Sequence, residues 1–477
     1  MSLVQGKTAL HKAWRVINEN AQTSTSLDVR REVDDFAANP MANINQLSGQ
    51  LSARRFRFPE AKGIPVAKKN PDGTKSKKLR PLVLAPLRSR IVQRAILEAL
   101  GTVPKLEPYF LNPHSFGGIQ KQKDGLAAVP AAVQAVLTAI GNGATHVAFA
   151  DVRAFFTKIP KPVVTEIIAN TTGDPEFMAL FEDAIKLELS NMAELKEKAQ
   201  AFPIEAIGVA QGNSLSPLLG NILLHEFDRR MNEGDSVCIR YIDDFIILAP
   251  SAAAAKARMK LATCILSTIG MTLSEEKSTT APLPVTAKFD WLGIEFNNGW
   301  IRPSAKAIAK LEQNVRMRFN DSAKGMRETK AGEPIPRKQS LIATLNRADS
   351  IIRGWGKHYR FCNDDALFAR VDGQMQALIK AYLGEYRRIK DQRADKDGPS
   401  LLGIDELGRQ KREALVWPRK NAQRAAQSVT KNLNPSPIPA PHAVKNGGHP
   451  IANLPPAIPA IEPAEPAPLD PQTPPWE

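Results

Sequence analysis

Cysteine is scarce in this chain, with three residues among 477. Cys238, Cys264 and Cys362 include no C-x-x-C pair and cannot build a four-thiolate zinc site. An odd cysteine count, and a beginning (Met1-Ser-Leu-Val-Gln-Gly-Lys) without signal-peptide character, point to a reducing cytoplasm. Long apolar runs are missing too. The nearest, Leu126 to Ile140, is interrupted by Pro130 and Gln134 and reads as an Ala-rich packed helix, well short of the ~18 uninterrupted residues of a membrane span. No internal repeat is present, which excludes a solenoid.

Positive charge is abundant. Sixty-four Lys and Arg against 49 Asp and Glu leave +15 and a pI near 9.6. Such an excess points to a polyanionic partner, nucleic acid before membrane. Residues 433–477 hold 14 of the 37 prolines and carry net −3, so residues 1–432 carry +18. That Pro-rich tail is expected to be disordered with polyproline character.

Residues 1–58 alternate charged and apolar positions at helical spacing and end in Arg54-Arg55-Phe56-Arg57. Pro65 to Leu84 reads as a hairpin around Asn70-Pro71-Asp72-Gly73, with a strongly basic loop. Helices are expected over Ser89–Leu100, Lys161–Asn170, Pro175–Leu189, Leu218–Met231 and Ala252–Ile269. Thr145 to Asp151 reads as a strand ending in an acid. From Pro303 to Arg388 the pattern is helical and basic. Alternating strands and helices over 145–300 imply a small sheet covered by helices.

"CIRYIDDFIILAP", 238 to 250, places two adjacent carboxylates in an apolar stretch. Val237–Tyr241 and Phe245–Leu248 have strand composition, so Asp243 and Asp244 fall at a hairpin turn. An Asp-Asp pair alone is usually a solvated turn. Here the flanking strands set it at the edge of a core, where like charges are costly without a cation. Asp151 ends another expected strand, and if that strand neighbours the hairpin it would bring a third carboxylate to the same edge. Such hard oxygen ligands with open positions suit Mg2+, and two ions about 3.5–4 Å apart can activate a 3′-hydroxyl and stabilise a leaving pyrophosphate.

The order of "KLRPLVLAPLRSRIVQRAI", "AFADVRAFF", "GVAQGNSLSP", "YIDD", "LSEEK" and "FDWLGIEF" resembles the reverse transcriptases, most closely group II intron-encoded and related bacterial ones, over about His11 to Arg388. The resemblance implies an α+β right-hand polymerase with fingers, palm and helical thumb. It implies boundaries of 1–58 (N-terminal helical extension), 59–135 (fingers), 136–300 (palm with primer-grip hairpin), 301–390 (maturase-like thumb), 391–432 (charged helical segment) and 433–477 (tail). The implied metal ligands are Asp151, Asp243 and Asp244, with Val152 beside them, holding two Mg2+ ions. Arg80 matches the cation on the incoming triphosphate, with Lys75 or Lys78 a second. Gln211 matches the residue beside the nucleotide, and Phe156 the aromatic that excludes a 2′-hydroxyl. Lys277 matches a palm lysine at the leaving pyrophosphate, and Trp291, Leu292 and Gly293 the primer grip. Without the resemblance, Phe156 would read as core and Lys277 as a solvated charge.

What the resemblance implies in function is RNA-directed DNA synthesis from dNTPs on an RNA template, with a DNA primer or product. The template is expected to be a dedicated structured non-coding RNA. No membrane partner is expected, and oligomerisation is left open. The chain departs from the intron enzymes at Ser115-Phe-Gly-Gly-Ile-Gln-Lys-Gln and Ser24-Thr-Ser-Leu-Asp, and shows no Cys/His-rich module after Arg388. A stand-alone bacterial enzyme of anti-phage defence is therefore expected. The alternatives are an RNA-binding maturase or scaffold, and a polymerase primed from one of only five tyrosines.

Overall fold

The computed structural model describes residues 1–22, 24, 26–69, 75–118, 125–330, 333–393, 398–404 and 407. The tail 433–477, the segment 408–432 and the hairpin loop 70–74 lie outside the described residues. The chain divides into two compact units. One comprises residues 1–312 and 355–373, the other 313–354 and the described residues from 374 onward. The long helices Ala305–Glu328, Leu341–Tyr359 and Asp365–Asp391 are each shared between them.

In the first unit, helices Lys7–Gln22, Leu27–Ala37 and Pro40–Ser52 pack with Leu87–Leu100. Their starts are written locally. Ser26 Oγ accepts from Val29 N, and Asn39 Oδ1 accepts from Ala42 N with Pro40 next. Trp14 and Phe36 meet with ring centroids 4.5 Å apart, among buried Leu47, Leu51, Ile91 and Ile96. Strands β1 (Lys62–Lys69) and β2 (Lys75–Leu84) form the basic antiparallel hairpin.

The central sheet is antiparallel, with β3 (His146–Asp151), β4 (Val237–Tyr241), β5 (Asp244–Ala249) and β6 (Leu283–Pro284) in the order β4-β5-β3-β6. Phe245 to Ala249 are buried without alternation, because β5 is covered on both faces. The helix Ala252–Thr268 packs on β3 and β5, and Ala128–Gly141 on β4 and β5. A second sheet, β7 (Phe289–Trp291), β8 (Ile294–Asn297) and β9 (Trp300–Pro303), is also antiparallel.

The mixed helix-and-sheet class is the one expected, but two helices differ from the expectation. Leu218–Met231 is two helices, Ser216–Leu223 and His225–Met231, broken at buried Leu224 (φ −93°, ψ 7°). Pro175–Leu189 stops at Ile185, because Lys186 is extended. In the second unit, the Ser322 hydroxyl donates to the Gln339 carbonyl at 2.6 Å and pairs with the Tyr382 hydroxyl at 2.7 Å, while Phe319 and Tyr382 stack 4.4 Å apart. No helix among the described residues is long and apolar enough to cross a membrane.

Candidate active site

The β4–β5 hairpin turns through Ile242 and Asp243, and Asp244 opens β5. In the ladder Asp244 stands opposite Tyr241 on β4 and opposite Asp151 on β3. Val152 N donates to Asp243 O at 2.8 Å, closing the edge one residue further on. This register brings Asp151, Asp243 and Asp244 to one end of the sheet, with Val152 buried beside them. Ile242 has φ +60°, a left-handed conformation that costs a β-branched residue on the order of 1–3 kcal/mol. A two-residue hairpin demands positive φ there, and glycine would be the unstrained choice.

The electrostatics are those of carboxylates short of positive charge. Burial, then repulsion from Asp151, raises the Asp243 carboxyl above its ordinary range. Burial lifts Asp244 further, to about 7, with Asp151 and Asp243 adding to it. Lys277 Nζ lies 2.6 Å from Asp151 Oδ2 and draws both neighbours back down. Arg80, exposed on β2, acts on Asp243 in the same direction. Lys78 also lies on β2, but its side chain, like that of Lys75, lies outside the described residues.

Phe155 and Phe156 differ in burial, although both pack on the same hydrophobic core. Phe155 is 2% exposed and fills the space over Gly220, where a Cβ would meet its ring at 2.7 Å. Phe156 is only half-buried. Its carbonyl accepts from Val209 N at 2.7 Å, which ties it to the loop carrying Gln211. That loop docks on β2, with Val83 N donating to Gln211 O at 2.8 Å. Gly212 (φ +115°) is the necessary neighbour, since a Cβ there would lie 2.5 Å from Val83 O. The Gln-Gly pair therefore joins the Arg80 strand to the loop beside Phe156.

The turn of β7–β8 is Leu292-Gly293, with φ +51° and +75°, both positive as a type I′ hairpin requires. Gly293 is exposed and Leu292 half-buried. Trp291 turns inward. It is 3% exposed, and its indole Nε1 donates to Asp244 Oδ1 at 3.0 Å. A third strand, β9, follows through Asn298-Gly299, a hairpin signal legible in the sequence. Arg302 on β9 donates to Glu295 at 2.8 Å and Asp364 at 2.9 Å.

Sequence reasoning missed the support beneath the turn. Arg240, 1% exposed, clamps Asp228 through Nε (2.6 Å) and Nη2 (2.5 Å) and donates from Nη1 to Ile242 O at 2.8 Å. Asn112 adds a donor to Asp228 at 2.8 Å. Phe116 N donates to Arg240 O at 2.9 Å, and Gly117 then passes so close that a Cβ would lie 2.5 Å from Ile242 Cγ1. An arginine inside an apolar strand was the available signal.

Among the described residues, no group of three or more His, Cys, Asp or Glu side chains is gathered closely enough to hold a metal ion by itself. A site with fewer protein ligands is the kind Mg2+ accepts. Mg2+ instead takes one or two carboxylates and completes its shell with water and phosphate oxygens. Lys277, a cation at Asp151, and the raised carboxyls of Asp243 and Asp244 mark the edge as a place for positive charge.

Residues 66–296 match the family model described as reverse transcriptase (RNA-dependent DNA polymerase). The chain is 29% identical over 184 residues to Protein YkfC of Escherichia coli K12, covering 38% of this chain and 42% of that protein. It is 24% identical over 400 residues to an uncharacterised 91 kDa protein in a cob intron of Schizosaccharomyces pombe, covering 68% and 46%. The chain thus spans less than half the length of either relative. Among solved structures it is similar to a partial Cas6-RT-Cas1–Cas2 complex (TM-score 0.30, 20% identity, 55% and 42% covered). It is also similar to telomerase from Candida albicans (TM-score 0.36, 13% identity, 73% and 61% covered).

Proposed function

We propose that this chain, whose residues 66–296 match the reverse transcriptase family model, is an RNA-directed DNA polymerase using dNTPs and two Mg2+ ions. The observation that carries the reading is the register Asp151 opposite Asp244, with Val152 N on Asp243 O, which gathers three carboxylates at one sheet edge.

In this reading Asp151, Asp243 and Asp244, with the Val152 backbone, hold the ions. When bound, Mg2+ supplies activation of the primer 3′-hydroxyl and charge neutralisation at the pyrophosphate. The new bond joins the 3′-oxygen to the α-phosphorus, and the bond from that phosphorus to pyrophosphate breaks. Arg80 binds the triphosphate, and Lys78, whose side chain lies outside the described residues, is the second cation proposed there. Gln211 lines the nucleotide site, and Phe156 excludes a ribose 2′-hydroxyl. Lys277 screens or protonates the departing pyrophosphate, and the Leu292-Gly293 turn supports the primer end. The +18 on residues 1–432 supports a nucleic-acid duplex as cargo, and a dedicated structured RNA as template belongs to the same proposal.

Extension of a primed RNA template in Mg2+ tests this. Asp243→Asn should abolish incorporation and leave RNA affinity within about twofold, because one lost ligand removes several kcal/mol of transition-state charge stabilisation. Incorporation at the wild-type rate would sink the assignment. The alignment over 400 residues with a protein in an intron favours a second reading, in which binding and folding RNA is the main role. Intact RNA affinity without incorporation by the wild type would support it.

A further inference from the structure

Trp291 ends β7 in the hairpin assigned to the primer, yet its side chain is turned away from solvent and bonded to Asp244. A buried indole has one polar atom, a donor, and that donor is spent on a carboxylate oxygen at 3.0 Å. Asp244 is the residue of β5 opposite Asp151 and belongs to the other sheet. The hydrogen bond therefore ties the second sheet to the reactive edge of the first. The terminal torsion of an aspartate is broad, so its backbone place in the ladder does not set the plane of its carboxyl. A fixed N–H on Oδ1 does, and it leaves Oδ2 for another ligand.

We propose that Trp291 is a positioning residue: its indole N–H orients the Asp244 carboxylate for metal binding and joins the primer-holding turn Leu292-Gly293 to that carboxylate. The ring is itself 3% exposed, so the packing around it confines its orientation. Phenylalanine at 291 would keep the apolar contact and lose the donor. Groups that orient a metal ligand typically contribute 10–100-fold in metal affinity. The inference rests on the reading of Asp244 as a metal ligand, and the experiment separates the two.

Mn2+ binding to the full chain, without nucleic acid, is followed by electron paramagnetic resonance for wild type, Trp291→Phe and Asp244→Asn. The expected result is binding weakened about 10-fold or more by Trp291→Phe and at least as much by Asp244→Asn, with the melting temperature of Trp291→Phe close to wild type. Unchanged Mn2+ affinity in Trp291→Phe, with Asp244→Asn impaired, overturns the positioning role alone. Unchanged affinity in Asp244→Asn overturns the metal reading beneath it. Should Trp291→Phe fold poorly, the wild type carries the test. With its six tryptophans labelled at the indole nitrogen, one indole N–H resonance should move both on adding Mg2+ and in Asp244→Asn. No indole resonance responding to either change overturns the proposal.

Discussion

Arg240 reaches out of strand β4 to donate 2.8 Å to the carbonyl of Ile242, two residues ahead, while its other nitrogens clamp Asp228. The carbonyl belongs to the residue at φ +60° that sets the direction of Asp243. A strained turn persists only where its surroundings over-determine it, and here Arg240 and Gly117 do so. Removing one member of a buried ion pair leaves the other charge uncompensated, at a cost of about 3–5 kcal/mol. Arg240→Leu should therefore shift the urea midpoint strongly. Arg240→Leu with Asp228→Leu should recover part of that stability without recovering nucleotide incorporation, because the Ile242 carbonyl still lacks its donor. Equal recovery of both would make the pair purely structural.

Gly212→Ala should separate binding from chemistry. Its Cβ would lie 2.5 Å from Val83 O, at a backbone angle that L-residues rarely adopt, so β2 must shift with Arg80 on it. The expected outcome is a raised KM for dNTP, by about two- to tenfold if roughly half of ~1–3 kcal/mol of strain reaches the site, with a smaller change in kcat. Steady-state extension kinetics at several dNTP concentrations read this directly. An unchanged KM would show that the Gln211–Val83 docking does not set the nucleotide site.

Phe156→Ala should relax sugar selection. Phe155 is buried and Phe156 half-buried, tied through its carbonyl to Val209, and under the proposed role truncation at 156 opens the nucleotide site. The kcat/KM ratio of ribonucleotide to deoxynucleotide should rise by about tenfold or more, on the scale of 1–3 kcal/mol for a steric contact. An unchanged ratio would place the gate elsewhere.

Asp244 predicts how metal and pH interact. Its carboxyl is held up at about 7 by burial, so between about pH 4 and 7 the folded chain keeps a proton that the unfolded chain has lost. Metal-free stability from this group is thus greatest at the acid end of that window and is lost as pH rises through it. If Asp244 holds Mg2+ as proposed, the ion takes the carboxylate, so its stabilising effect should be larger near pH 8 than near pH 5.5, and binding near pH 6 should release protons. Thermal melts with EDTA or Mg2+, for wild type and Asp244→Asn, measure this. A Mg2+ shift equal at both pH values in the wild type would refute it.

Much of the fold and part of the site were written locally. Ser26 and Asn39 mark helix starts, Asn298-Gly299 marks a hairpin, and the apolar run on both sides of Asp243-Asp244 marks two strands with acids at their junction. These are short-range choices of backbone conformation, set by side chains a few residues away. Nothing local says what Arg240 grips twelve residues back, that Lys277 meets Asp151 across 126 residues, or that Trp291 donates to Asp244 across 47. The same holds for Gly212, whose need to be glycine comes from the carbonyl of Val83 on another strand. The sequence by itself determined that Asp243 and Asp244 share one hairpin junction, whereas Asp151 reaches them only through the pairing of β3 with β5 across 93 residues. Only the tertiary structure decided how they are held. A buried charge or donor takes whichever partner the packed chain brings within about 3 Å, and that is a property of the whole fold.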